Sequence, residues 1–123
     1  MHFRSHLGRE AEQKTAHYLL QNGFSIIELN YRKKRGEIDI IASTHDLLVF
    51  VEVKMRQNNY FDLSDVITSG KQRKIIAVAK EYIGRNGWQE RSYRFDVALM
   101  HGTENNLELT YIQNAFNEGD CTW

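Results

Sequence analysis

The 123-residue chain suits a single domain with one core, and its 41% hydrophobic and 26% charged residues are those of a globular rather than a disordered protein. One cysteine, Cys121, excludes an internal disulfide framework and a cysteine-built zinc centre, and it fits a reducing cytoplasm. Formal charge is zero, but every Lys and Arg lies at or before Arg94: residues 1–94 carry 16 basic against 11 acidic side chains, a net of +5, and the remainder a net of −5, so a basic face can hide behind the neutral total.

The opening MHFRSHLGREAEQ has no apolar stretch of the signal-peptide kind, and no run approaches the roughly 18 apolar residues of a membrane span. A soluble, cytoplasmic protein is expected. Gly8 to Asn22 carries a helical pattern with Gly23 placed as a C-terminal cap. FSIIELNY, residues 24–31, reads as a first strand, followed by a basic turn, RKKRG. GEIDIIASTHDLLVFVEVK, from Gly36 to Lys54, reads as two strands joined by a short turn. Residues 57–68 read as loop. A helix starts near Ser69, where Ser69 and Gln72 have capping-box spacing; its apolar stripe is Ile75, Ile76, Ala79, Tyr82 and Ile83, and Asn86 and Gly87 end it. RSYRFDVALM and NLELTYIQ supply two more strands. The order is αβββαββ, an α/β domain with a mixed sheet over residues 1–116 and a tail over 117–123.

The two central strands carry an unusual charge pattern. Either Ser43–Asp46 or Thr44–Leu47 serves as the four-residue turn, and both sort the side chains alike. One face receives Ile38, Ile40, Ala42, Leu47, Val49, Val51 and Val53, wholly apolar. The other receives Glu37, Asp39, Ile41, Leu48, Phe50, Glu52, Lys54 and Arg56, apolar beside the turn and charged at the far end. A face that still carries Ile41, Leu48 and Phe50 is covered, which puts the charged cluster at the margin of a covered surface. Two carboxylates about 4 Å apart repel by roughly 1 kcal/mol in water and by about 4 kcal/mol at an effective dielectric near 20. Lys54 and Arg56, a divalent cation, or both must offset this.

Glu12 shares a helical stripe with Ala16, Leu19 and Leu20, where a carboxylate is expensive unless a partner waits for it. Oxygen-rich clusters of this kind suit Mg2+ or Mn2+. Singly, each residue has a duller account: Glu52 and Lys54 as a lateral ion pair, Asp39 as a turn cap, Glu12 as an acid near a helix start. The five histidines show no metal-ligand spacing.

GREAEQKTAHYLLQNGF, NYRKKRGEIDIIA, VFVEVKMR, TSGKQRKI and RFDV together resemble the YraN-like family, small bacterial proteins similar to archaeal Holliday-junction resolvases and to restriction-endonuclease-like nucleases. The resemblance spans roughly residues 8–116. It implies a restriction-endonuclease-like sheet flanked by helices, with Asp39 and Glu52 as metal ligands and Lys54 positioning the attacking water. Glu12 matches the helical glutamate of the resolvase-like branch. Glu37 has no counterpart in the general nuclease signature.

The resulting expectation is a Mg2+- or Mn2+-dependent endodeoxyribonuclease acting on structured or branched DNA. Asp39, Glu52, Glu12 and the backbone carbonyl of Val53 hold the metal, and Asp39, Glu52 and Lys54 carry the chemistry. Arg32, Lys33, Lys34 and Arg35 of the turn, Arg56, and Lys71, Arg73 and Lys74 at the helix start supply phosphate contacts. Lys71, one turn ahead of Ile75 on the apolar stripe, aims along the sheet towards the cleft. By analogy with resolvases a homodimer is expected. The rival readings are a nucleic-acid-binding module without catalysis, and a subunit that docks a partner protein through the acidic tail and Trp123.

Overall fold

A computed structural model describes residues 5–56 and 67–118. Most of the expected loop, together with Cys121 and Trp123, lies outside the described residues. The elements run in the order α1 (His6–Gln21), β1 (Ser25–Lys33), β2 (Gly36–Thr44), β3 (Leu47–Arg56), α2 (Ser69–Asn86), β4 (Ser92–Thr103) and β5 (Asn106–Phe116). The expected αβββαββ order holds, and it is compatible with a restriction-endonuclease-like fold.

α1 begins two residues earlier than its apolar pattern suggests, because the Ser5 hydroxyl accepts a hydrogen bond from the Gly8 N–H at 2.9 Å and so caps the first turn. Asn22 closes the helix, and Gly23, at φ +87°, turns the chain into β1. In α2 the cap is Thr68 rather than Ser69: its hydroxyl accepts from the Lys71 N–H at 3.2 Å, and the Gln72 side chain reaches back to the Ile67 carbonyl. Gly87 ends α2 in the left-handed conformation.

The five strands form one sheet in the order β1-β2-β3-β4-β5. Only β3 and β4 run parallel, with α2 as the crossover between them. Thr44 pairs with Leu47, which leaves His45 and Asp46 as the tip and selects the second of the two turn readings. β1 is longer than expected: Tyr31 pairs with Ile38, Arg32 with Glu37 and Lys33 with Gly36, so Arg32 and Lys33 are strand residues and Lys34–Arg35 alone form the turn.

Alternating residues of the central strands feed opposite faces. Ile41, Leu48 and Phe50 of β2 and β3 pack with Ile75, Ile76, Val78, Ala79 and Tyr82 of α2. Ile40, Ala42, Val49 and Val51 pack with Leu19 of α1. Each large side chain fully buried here contributes about 1.5–3 kcal/mol. One assignment changes: Ile38 joins the α2-side core rather than sharing a face with Ile40 and Ala42. The period-two alternation therefore breaks at Asp39. Among the described residues no helix is long and apolar enough to cross a membrane.

Candidate active site

The break at Asp39 builds the site. The paired β2–β3 register runs from Thr44–Leu47 to Ile40–Val51. Just beyond it, the Val53 N–H donates to Oδ2 of Asp39 at 2.8 Å, a side-chain acceptor in place of a strand partner. A backbone amide thus fixes the carboxylate, and the carboxylate satisfies an amide the ladder has left behind. Glu52 comes from the neighbouring position on β3, within hydrogen-bond reach of Asp39. Asp39 and Glu52 are each 5% exposed. From α2, Lys71 reaches back over the sheet and places Nζ 2.6 Å from Glu52 Oε2. Lys54 lies within hydrogen-bond reach of Lys71.

These four side chains share a cleft of about 720 Å³. Its walls include Arg32, Lys33, Lys34 and Arg35 from the β1–β2 turn region, Glu37, Val53, and Thr68, Gly70 and Lys74 from the start of α2. Burial, then the charge of Asp39, push the Glu52 carboxyl up to about 7, against an opposing pull from Lys71. Lys54 is pushed below the ordinary lysine range by burial and then by the Lys71 charge. Burial also works against the charged form of Lys71, but Glu52, and after it Lys54 and Asp39, outweigh burial and raise its pKa. The cleft therefore brings two carboxyl groups and two lysines together, Glu52 beside Asp39 and Lys71, and Lys71 beside Lys54, at the margin of a core.

The family model described as "Uncharacterised protein family UPF0102" matches residues 11–100 of this chain. The chain belongs to the UPF0102, YraN-like, family. Among its relatives, a UPF0102 protein of Nitrosomonas eutropha is 42% identical over 113 residues, covering 91% of this chain and 94% of its own. Another, from Sulfurihydrogenibium sp., is 39% identical over 89% of this chain and 93% of its own. A third, from Desulfosudis oleivorans, is 41% identical over 93% and 92%. The stretch shared with the UPF0102 family contains the whole cleft.

The remaining candidates are placed unevenly. Glu12 is buried in α1, with Oε1 accepting from Nδ2 of Asn30 at 3.3 Å. Asn30 falls between Leu29, paired with Ile40, and Tyr31, paired with Ile38, so it stands across β1 from the Asp39 position. Neither Glu12 nor Asn30 lines the cleft. Arg32 lies 3.8 Å from Glu37, and Lys33 sits over the Tyr31 ring. Arg56, at the end of β3, and Arg73, on α2, do not line the cleft. Sequence reasoning passed over Asn30, whose φ of +53° is a signal of the residue type, since asparagine tolerates the left-handed region inside a strand-like stretch. It also passed over Thr68 and Gly70, which border the cleft as the cap and first turn of α2.

The donor set fits a hard divalent cation. Asp39 and Glu52 offer oxygen alone, and Mg2+ needs only one or two carboxylates when water and substrate phosphates complete its shell. Among the described residues, no group of three or more His, Cys, Asp or Glu side chains is placed to hold an ion. The carboxylate pair, not a triad with Glu12, is what the geometry offers.

Proposed function

We propose that this UPF0102 protein is a divalent-metal-dependent endonuclease that hydrolyses phosphodiester bonds in structured or branched DNA. The observation that carries the reading is the forced proximity of Asp39 and Glu52 beside Lys54 and Lys71 in one cleft. Desolvating two carboxylates side by side is costly, and a bound cation would offset that cost. The resemblance to resolvase-like nucleases points the same way.

In this reading Asp39 and Glu52 hold Mg2+ or Mn2+. When bound, the ion supplies charge neutralisation at the scissile phosphate and a more acidic water. The Val53 amide holds the Asp39 carboxylate in place, and the Val53 carbonyl is a further candidate ligand. Lys54, its proton loosened by burial, orients the attacking water and offsets charge that develops on the phosphoryl oxygens. Arg32, Lys33, Lys34, Arg35 and Lys74 take neighbouring phosphates along the cleft, and Arg56 and Arg73 extend the basic surface beyond it.

The test is a panel of labelled four-way junctions, flaps and nicked duplexes incubated with Mg2+ or Mn2+. Cleavage is expected with metal, is abolished by EDTA, and falls by about 10²–10³-fold in Lys54→Ala and further in Asp39→Ala. Absence of cleavage across the panel with both metals overturns the enzymatic reading. The Lys71–Glu52 pair favours a second reading, a non-catalytic nucleic-acid-binding module whose carboxylates are balanced by lysine alone. That module binds in a salt-dependent manner, unchanged by EDTA and by Asp39→Asn.

A further inference from the structure

Lys71 stands where the chemistry of the cleft would put a cation. Its Nζ is 2.6 Å from Glu52 Oε2, and its side chain is 42% exposed where that of Glu52 is 6% exposed. The ammonium group therefore covers the solvent side of the buried carboxylate. With Lys54 alongside, the carboxyl groups of Asp39 and Glu52 face two lysines in the same cleft. A divalent ion entering beside Glu52 meets the Lys71 ammonium group already seated there, and like charges repel strongly in a partly desolvated cleft. One cation has to leave, or an anion has to arrive.

The two lysines differ in their freedom to move. Lys54 projects from β3, paired with Leu99 of β4 inside the sheet. Lys71 sits in the first turn of α2 on a flexible four-carbon stem, with much of its side chain already in water. Lys71 can swing out without disturbing the sheet. Where it swings, at the Thr68-capped end of an 18-residue helix, the exposed N–H groups and the helix dipole favour a phosphate.

We propose that Lys71 is the placeholder counter-ion of the Asp39–Glu52 pair: it releases Glu52 when a divalent cation enters, and its freed ammonium group then takes a phosphate of the nucleic-acid backbone. This rests on the reading of the cleft as a metal site. Ion loading and substrate capture are then coupled through one side chain. Before the ion arrives Lys71 opposes it, and afterwards Lys71 helps hold the substrate.

Two measurements on the full chain test this. Calorimetric titration with Mn2+ alone, without nucleic acid, compares the wild type with Lys71→Met and Lys71→Gln, each first shown to unfold cooperatively. Both variants are expected to bind Mn2+ about tenfold more tightly, equivalent to about 1.4 kcal/mol of competition removed. Fluorescence anisotropy with a phosphorothioate-substituted duplex then measures how much Mn2+ improves binding. A clear gain is expected in the wild type and its loss in both variants. Unchanged or weaker Mn2+ affinity in both variants overturns the placeholder role while leaving the metal site standing. An equal Mn2+-dependent gain in all three proteins overturns the handover to phosphate. Failure of every form, wild type included, to bind Mn2+ removes the metal reading and the proposal together.

Discussion

Replacing Glu52 with Gln should flatten the pH dependence of stability in the metal-free protein. Burial and the neighbouring Asp39 raise the Glu52 carboxyl from an ordinary 4.5 to about 7. Between those values the folded chain keeps a proton on Glu52 that the unfolded chain has already lost. The native state binds more protons across the window, so stability falls as pH rises through it. At about 1.36 kcal/mol per pH unit, the interval from 4.5 to about 7 is worth at most roughly 3 kcal/mol. That is a large share of the 5–15 kcal/mol typical of a whole domain. Urea unfolding followed by circular dichroism at pH 5, 6, 7 and 8, in EDTA, measures the effect. The wild type should lose up to about 3 kcal/mol more than Glu52→Gln between pH 5 and pH 8. The difference between the two proteins isolates Glu52, because histidines and other titrating groups are common to both. Parallel curves would refute the assignment of a desolvated, proton-retaining glutamate. A wild type that gains on the variant as pH rises would mean that the ion pair with Lys71 outweighs burial.

Two further substitutions probe the frame around the site. Gly102→Ala should destabilise by at least about 2 kcal/mol, because φ there is +127° and an added Cβ would overlap the Asn106 carbonyl oxygen across the β4–β5 hairpin; thermal unfolding checks this, and an unchanged midpoint would contradict it. Asp96→Ala should cost about 3–5 kcal/mol, since the fully buried carboxylate accepts from Arg94 Nε at 2.9 Å, the Tyr111 hydroxyl at 2.6 Å and the Asn114 N–H at 2.8 Å, and all three donors lose their acceptor at once. Urea unfolding reads that loss directly.

Much of this arrangement is legible in the sequence. Read from the sequence, alternation puts Asp39, Glu52 and Lys54 on one side, and the structure does bring the three into one cleft although the period breaks beside Asp39. The spacing of Lys71 ahead of Ile75 aims it into the same cleft. The parts that are not legible involve side chains that interrupt a period. Ile38 changes face beside Asp39, whose carboxylate bonds a backbone amide, and beside the left-handed Asn30 of β1, irregularities that hydrophobic alternation does not encode. Arg32 and Lys33 look like turn residues by composition, yet β1 keeps pairing with β2 as far as Gly36 and draws them into the strand. Glu12 is recognisable as a buried carboxylate from its helical stripe. Its partner is not, because Asn30 reaches it from a strand residue in the left-handed region.

The location of the cleft follows from the same interruption. A β-ladder satisfies every backbone amide until two strands separate, and the first amide beyond the last pair must find another acceptor or remain costly. Here that amide belongs to Val53, and Asp39 supplies the acceptor. Asp39 is thereby held by backbone rather than by a second mobile side chain, and Glu52, one residue before Val53, is set beside it by the chain itself. Asp39 is therefore fixed by the sheet's own backbone, whereas the cation facing Glu52 comes from a half-exposed lysine on a helix end. If the cleft takes a divalent ion as proposed, a backbone-held Asp39 opposite an exchangeable lysine favours displacement of the lysine over rearrangement of the strands, so binding should move Lys71 and leave the sheet unchanged.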